Sequence, residues 1–200
     1  MLNLNIVLGV LGSVLLLCGD LLYVRGVFQK HLRPHAFSWL VWSVLNGIAF
    51  AAQISKGAGP GAWVTAVNTA SCLLIFFGAL RFGDRRWLRF DWMALSGAGL
   101  ALLLWLFTKE ALLSVLLIVV VDLFGSLPTF RKGYHQPHGE LIKSYTFAAL
   151  ANLLAILALE SYSPTTWLYP AVIVLLDGSL SIMLVARRKS LQAHSPIPSI

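Results

Sequence analysis

Apolar positions in this chain do not alternate with polar ones over short distances; they gather into long runs with brief polar breaks. Seven runs can be read, roughly Leu4–Phe28, Phe37–Ile54, Ala62–Leu80, Trp92–Thr108, Ala111–Phe130, Leu141–Leu159 and Thr166–Ala186. Each is near the roughly 20 residues that an α-helix needs to cross a bilayer core. Lys109 and Glu110 alone part runs four and five, which predicts a very tight turn there. The first run has no basic residue before Arg25 and no small-residue cleavage site, and Leu17 rather than a small residue precedes Cys18. It is therefore expected to stay in the mature chain as a helix, not to act as a signal or lipoprotein leader.

The runs repeat. Asp20 and Asp122 are 102 residues apart, as are Phe28 and Phe130, and Lys30 and Lys132. Pro34 and Pro137, like His35 and His138, are 103 apart; Pro60 and Pro164, like Trp63 and Trp167, are 104 apart. A slowly drifting offset is what a duplicated unit with single-residue insertions leaves behind. A duplication with an odd number of runs implies three helices, one connector and three helices. The expected fold is thus an all-α integral membrane protein with seven transmembrane helices as 3+1+3. Two parallel three-helix-bundle repeats, residues 1–82 and 111–188, flank a loop and inversion linker helix (83–110), and 189–200 form a disordered tail. The linker run carries Ser96 as its one interior polar residue, with Gly97 and Gly99 permitting close packing.

Composition agrees with this reading and sets orientation. Of the 200 residues, 58% are hydrophobic and only 12% charged, against about a quarter charged in soluble domains. Of the 15 basic residues, all but Lys56 and Lys109 lie in or beside the breaks after runs one, three and five or after run seven, Arg25 within the end of run one and Lys143 at the start of run six. The positive-inside rule then puts the N-terminus outside and the C-terminus in the cytoplasm, in a membrane expected to be the bacterial inner membrane. The net charge of +7 is accounted for by these loops, so no nucleic acid is called for. Trp63 and Trp167 on the outer side, and Trp39, Trp87 and Trp92 on the inner, are expected to form interfacial belts. Cys18 and Cys72 fall in apolar runs and read as small buried hydrophobes.

Ionisable groups in hydrocarbon are costly, so each one asks for a reason. Asp20 precedes Lys30, Asp122 precedes Lys132 and Asp177 precedes Arg187 by ten residues each. At 1.5 Å per residue that is roughly 15 Å of helix, about half a bilayer core. Asn46, Asn68 and Asn152 fall in the middle portions of runs two, three and six. Each of the six bundle helices thus carries one strong polar side chain, and the expectation is a central cavity lined by all six. The alternative for each Asn is interhelical glue, worth about 1 kcal/mol. Desolvation disfavours a carboxylate's charged form, which makes Asp122 and Asp177 candidates for proton uptake near neutral pH. Asp20 has Arg25 nearby, and the two could instead form a structural charge pair; Arg25 could also snorkel to headgroups or act as counter-ion across the cavity. Pro128 and Pro170 are expected to kink runs five and seven and serve as hinges.

Other chemistries find less support. His31 and His35, and His135 and His138, are helically spaced but have no Cys or carboxylate cluster beside them, so neither a metal nor a cofactor is expected. No His lies within a run to serve Ser126 as a base, no HExxH occurs, and run seven lacks a central Lys for a retinal Schiff base. The protein is not expected to be an enzyme.

Several of these residues carry a family resemblance. The segment Tyr23-Val24-Arg25-Gly26 with Gln29, Lys30, Arg33 and Phe37-Ser38 stands where the SWEET and PQ-loop transporter superfamily has its first proline–glutamine motif. Leu127-Pro128-Thr129 with Arg131, Lys132 and Pro137 stands at the second. The chain resembles bacterial seven-helix members with a proline–threonine pair in run five and a Ser-Trp-Leu-x-Trp opening in run two, here Ser38 to Trp42. That resemblance implies a small-solute transporter in which two pseudo-symmetric bundles alternate access to a midplane site. Asn residues of helices three and seven often bind substrate there; the approximate matches are Asn68 and Asp177. Aspartate at the second position suits a proton-coupled or cationic solute better than a neutral sugar. The expected substrate-binding set is Asn46, Asn68, Asn152 and Asp177, and the expected proton-coupling set is Asp122, Asp177 and Asp20. The expected partners are a small solute and the lipid bilayer, with a homo-oligomer left open. The rival expectation is a non-transporting receptor or assembly subunit on the same fold.

Overall fold

The computed structural model describes residues 3–32, 34–86 and 89–193. Among them there are seven α-helices: α1 (Leu4–Phe28), α2 (Ala36–Ser55), α3 (Trp63–Phe82), α4 (Arg89–Thr108), α5 (Ala111–His135), α6 (Ile142–Leu157) and α7 (Pro164–Ala193). Short 3₁₀ turns, Gly59–Ala62 and Pro137–Gly139, precede α3 and α6. Five helices, α1, α2, α3, α5 and α7, are long and apolar enough to cross a membrane; α4 and α6 supply shorter apolar segments. The outward surface is correspondingly greasy, with Phe107 83%, Ile182 72% and Leu175 70% exposed. A surface of that kind would associate in water and is at home in lipid. The protein is an all-helical integral membrane protein.

Local sequence explains the helix boundaries. The Asn3 side chain caps α1 by accepting from the Asn5 amide (3.0 Å). At the start of α7, Pro164 occupies the first turn, where its missing N–H costs nothing. The Thr166 hydroxyl reaches back to accept from the Ser163 amide (2.9 Å). The tight turn between α4 and α5 is present: Lys109 adopts a left-handed φ of 59° and its N–H closes the helix on Trp105 O (2.9 Å).

Two boundaries differ from the hydropathy reading. α5 continues past Phe130 to His135, and α7 runs to Ala193 through the start of the segment expected to be disordered. The reason is polar. Arg187 Nε donates to Tyr134 O (3.1 Å), and Arg188 donates to Pro137 O and Glu140 O (2.9 and 2.6 Å). The α5–α6 connection therefore holds the extended end of α7. Residues 194–200 of the expected tail, and Arg33, Trp87 and Leu88, lie outside the described residues.

Six helices form a closed ring in the order α1, α3, α2, α5, α7, α6 and back to α1, and α4 lies outside it against α2 and α5. Ala94, Ala98 and Ala101 of α4 meet Val41, Leu45, Val115 and Ile118 in the largest apolar cluster, and Ser114 Oγ donates to Ala101 O (2.8 Å). Small residues let these backbones approach without side chains intervening.

The two ends of the ring are built differently. The end bearing the 3₁₀ turn Gly59–Ala62 and the α6–α7 connection is closed by contacts at glycine. A Cβ on Gly9 would sit 2.7 Å from Pro60 O, and one on Gly12 would sit 2.9 Å from Val64 Cγ2 and 3.1 Å from Ala151 O. Asn5 Nδ2 donates to Leu159 O (3.2 Å), the Glu160 amide to Ala58 O (3.2 Å), and the buried Gln53 side chain to Thr166 O (3.0 Å). The basic end is tied within neighbouring loops instead. Ala36 N donates to Asp84 O (2.8 Å) and Asp84 N to Pro34 O (2.9 Å), while Lys132 pairs with the buried Glu140 (2.8 Å). Gly9→Val should therefore destabilise the fold by about 1–3 kcal/mol through overpacking against backbone. Gly78→Ala, whose Cβ meets nothing within 4 Å, should leave stability unchanged or raise it by up to about 1 kcal/mol. Thermal unfolding of both variants in one detergent checks the contrast.

Candidate functional site

A carboxylate within the bilayer forces its neighbours to supply donors or to leave room for something that does. Asp122, in the middle of α5, is buried and takes the first course. Trp42 Nε1 of α2 donates to its Oδ1 (3.1 Å) and Tyr169 OH of α7 to its Oδ2 (3.2 Å). Three ring neighbours thus meet on one side chain. Next to it, Asn46 Nδ2 donates to Trp42 O (2.9 Å), Asn68 Nδ2 to Asn46 Oδ1 (3.0 Å), and Cys72 Sγ lies 3.6 Å from Asn68 Oδ1. A single polar string runs from α3 through α2 and α5 to α7.

The string forms one wall of a cavity of about 100 Å³ inside the ring. On the same measure one water needs roughly 10–15 Å³, so there is room for several waters or a small solute group. Asp20, Asn46, Asn68, Asp122 and Asp177 all line it, so five of the expected residues converge as expected. Asp20 Oδ2 is buried without a hydrogen-bond partner among the described residues. Among the described residues no Lys, Arg or His lines this space.

Asn152 is the exception. It is buried, does not line the cavity, and its amide donates to Ala148 O of its own helix (2.9 Å). It shares a face with Tyr145 and Ala148 but sits one turn nearer the sealed end, where Leu16, Val64, Ala151 and Ala155 pack. There the cavity has closed, and its bond within α6 matches neither the lining role nor the interhelical one. Trp39, expected in an interfacial belt, lines the cavity, 4.9 Å from the Tyr23 ring and 5.2 Å from that of Trp42. Arg25 is exposed and does not face the carboxylates across the cavity. Pro170 is buried within α7, which stays helical through it; α5 is helical through position 128, and the side chain of Pro128 lies outside the described residues.

Aromatic and hydroxyl groups are what sequence reasoning missed. Trp42, Tyr169, Tyr145 and Ser126 line the site beside the expected residues. A buried Trp N–H or Tyr O–H seeks an acceptor, so two such donors in the spans flanking a mid-membrane aspartate were the available signal. Tyr145 instead spends its hydroxyl on Glu140 Oε2 (2.7 Å), at the basic end.

At that end, outside the spans, Arg86 beside Asp84 (2.7 Å) holds the Asp84 carboxyl well below the usual range, at about 2. The sign follows: this contribution is complete above the ordinary carboxylate pKa of about 3.9 and fades only as pH falls toward about 2. Both groups are solvent-accessible, so the pair is worth little. It is silent between pH 5 and 8. His35 joins the same corner, its ring nitrogens at 2.9 Å from Ser38 Oγ and 2.6 Å from Arg86 O, and among the described residues no group of His, Cys, Asp or Glu is arranged to hold a metal ion.

No protein-family model matches the chain, nor does any curated protein or solved structure. Fold and site define its class unaided: a polytopic helical membrane protein with a carboxylate-lined cavity inside a six-helix ring.

The Asp122 junction has a measurable signature. Tyr169→Phe and Trp42→Phe should each cost about 1–3 kcal/mol by leaving a buried carboxylate oxygen without its donor. Combined with Asp122→Asn, each pair should be non-additive by at least about 0.5 kcal/mol. Double-mutant unfolding cycles check this, and strict additivity would mean that the carboxylate does not bridge α2 and α7.

Proposed function

We propose that this chain is a small-solute membrane transporter that works by alternating access, with proton coupling through its intramembrane aspartates. The observation that carries the reading is the cavity: Asp20, Asp122, Asp177, Asn46 and Asn68 converge on one space among six helices. Costly ionisable groups concentrated at a space with room for several waters or a small solute group are best explained by a solute or proton that visits them.

The packing supports a 3+1+3 architecture of duplicated bundles. Advancing each of α1, α2 and α3 to α5, α6 and α7 converts the α1–α3, α2–α3 and α1–α6 contacts into α5–α7, α6–α7 and α5–α2, all of which occur. α4, outside the ring, suits an inversion linker. On this basis, and on the motif positions around Arg25 and Pro128, membership of the SWEET and PQ-loop superfamily is part of the proposal. So is an orientation with the N-terminus outside and the basic end in the cytoplasm of a bacterial inner membrane.

In this reading the sealed end is the outer gate in its closed state, and Ser126, Thr129, Ser144 and Asp177 lie on the cytoplasmic half of the cavity wall. Asn46 and Asn68 offer the solute fixed amides. Asp177, which has fewer bonds to lose than Asp122, is the primary coupling carboxylate, and Asp122 holds α2, α5 and α7 together until it is protonated. Protonation would weaken its acceptor role toward Trp42 and Tyr169 and free the bundles to rock about the positions of Pro128 and Pro170.

The test is uptake of labelled sugars, amino acids and amines into proteoliposomes, with and without an inward proton gradient, alongside membrane current. Gradient-driven uptake is expected, falling at least tenfold in Asp177→Asn and losing its gradient dependence in Asp122→Asn. Asn152→Ala should keep wild-type flux per folded molecule. Absence of flux for every solute, from well-folded protein, would favour a receptor or an assembly subunit on this architecture.

A further inference from the structure

The carboxylate cavity is not the chain's only concavity. A groove of about 310 Å³ lies on the α5–α7 face, lined by Leu123, Phe124, Ser126, Leu127, Phe130 and Leu176. Its wall is apolar except for one hydroxyl, and Leu123, Phe124 and Leu127 are exposed on the lipid-facing surface. Ser126, Phe130 and Leu176 also line the central cavity. Three residues therefore form both the inner end of a lipid-facing groove and a wall of the polar site.

We propose that the cavity and groove together bind an amphipathic organic cation, a single alkyl chain bearing an ammonium head, which enters from the bilayer between α5 and α7. As a substrate assignment it rests on the transport reading above; as a binding site it does not. Charge selects the head. Asp20, Asp122 and Asp177 face the cavity, no cationic side chain among the described residues offsets them there, and one buried Asp20 oxygen has no partner. An ammonium pairs with an ionised carboxylate there, and the aromatic side chains of Trp39, Trp42, Tyr145 and Tyr169 that line the space suit a weakly hydrated cation. The groove selects the tail. A small polar cation without an alkyl chain leaves it unused, and an anionic amphiphile would bring its charge toward three carboxylates. The geometry joins the two requirements in one molecule, with the Ser126 hydroxyl, bonded to Asp122 O (2.8 Å), at the boundary between them.

Alkyltrimethylammonium ions are suitable probes because their charge does not depend on pH. Their dissociation constants for the full chain in nanodiscs, corrected against empty nanodiscs, are expected to fall up to roughly fourfold per added methylene, from tetramethylammonium to the length the groove admits. Leu127→Trp and Leu123→Trp, at exposed groove positions, should flatten that dependence while leaving the tetramethylammonium constant within about twofold. Asp177→Asn should weaken every member at least tenfold. A chain-length dependence that is flat, or unchanged in both tryptophan variants, overturns the portal; failure of tetramethylammonium to bind overturns the cation site. Chain-length-dependent binding without solute flux would keep the site and remove transport, so the two proposals fail separately.

Discussion

A carboxylate placed in the middle of a membrane helix cannot be left to itself, and Asp122 is where this protein meets that constraint. Its two oxygens draw one donor from α2 and one from α7, the two ring neighbours of α5. The ring closes there through hydrogen bonds to side chains of both neighbours, whereas α4 joins α2 and α5 mainly through alanines and glycine, with one hydrogen bond from Ser114 to Ala101 O. Because lipid tails are as apolar as the side chains, hydrophobicity gives little reason for one helix to choose another. Specific polar contacts and close backbone approach are what remain. The Asp122 junction supplies the first at mid-depth, and the glycines of α1 supply the second at the sealed end.

Those two devices also differ in how they can change. A contact of Gly9 against the Pro60 backbone is shape matching, insensitive to protons and broken only by separating the surfaces. A carboxylate with two donors responds to a single proton. Placing the proton-sensitive junction beside the cavity and the shape-matched seal beyond it is a sensible division for a protein proposed to open one end at a time. The basic end adds a third kind of tie. Glu140 is shared by Lys132 and Tyr145, and Arg188 reaches the carbonyls around it, so the second half is braced outside the hydrocarbon.

Asp20 and Asp122, 102 residues apart, are treated differently: Asp122 is satisfied by Trp42 and Tyr169, while Asp20 keeps one buried oxygen unpartnered among the described residues. Tyr145, 103 residues after Trp42, has turned its hydroxyl to Glu140. Asp122 thus serves cohesion between helices. On the proposed duplication, such asymmetry is where a scaffold can specialise without altering its packing.

Much of this was legible in the chain before any coordinates. The seven helices follow the seven apolar runs, five of them long and apolar enough for a crossing of roughly 20 residues, and the tight break at Lys109 and Glu110 held as a turn. Asp20, Asn46, Asn68, Asp122 and Asp177 announced themselves because polarity in hydrocarbon is expensive wherever it occurs. What the chain could not disclose is which polar groups meet. Asn152 satisfies itself within its own helix, and Trp39 turns inward, because facing and depth are settled by how the neighbouring helices pack. The extension of α7 to Ala193 rests on Arg187 and Arg188 finding carbonyls roughly fifty residues away. The groove between α5 and α7 is likewise a gap between two surfaces and belongs to neither run. Cost per residue is written in sequence, while partnership is a property of tertiary structure, since it depends on distances between segments that no single segment contains.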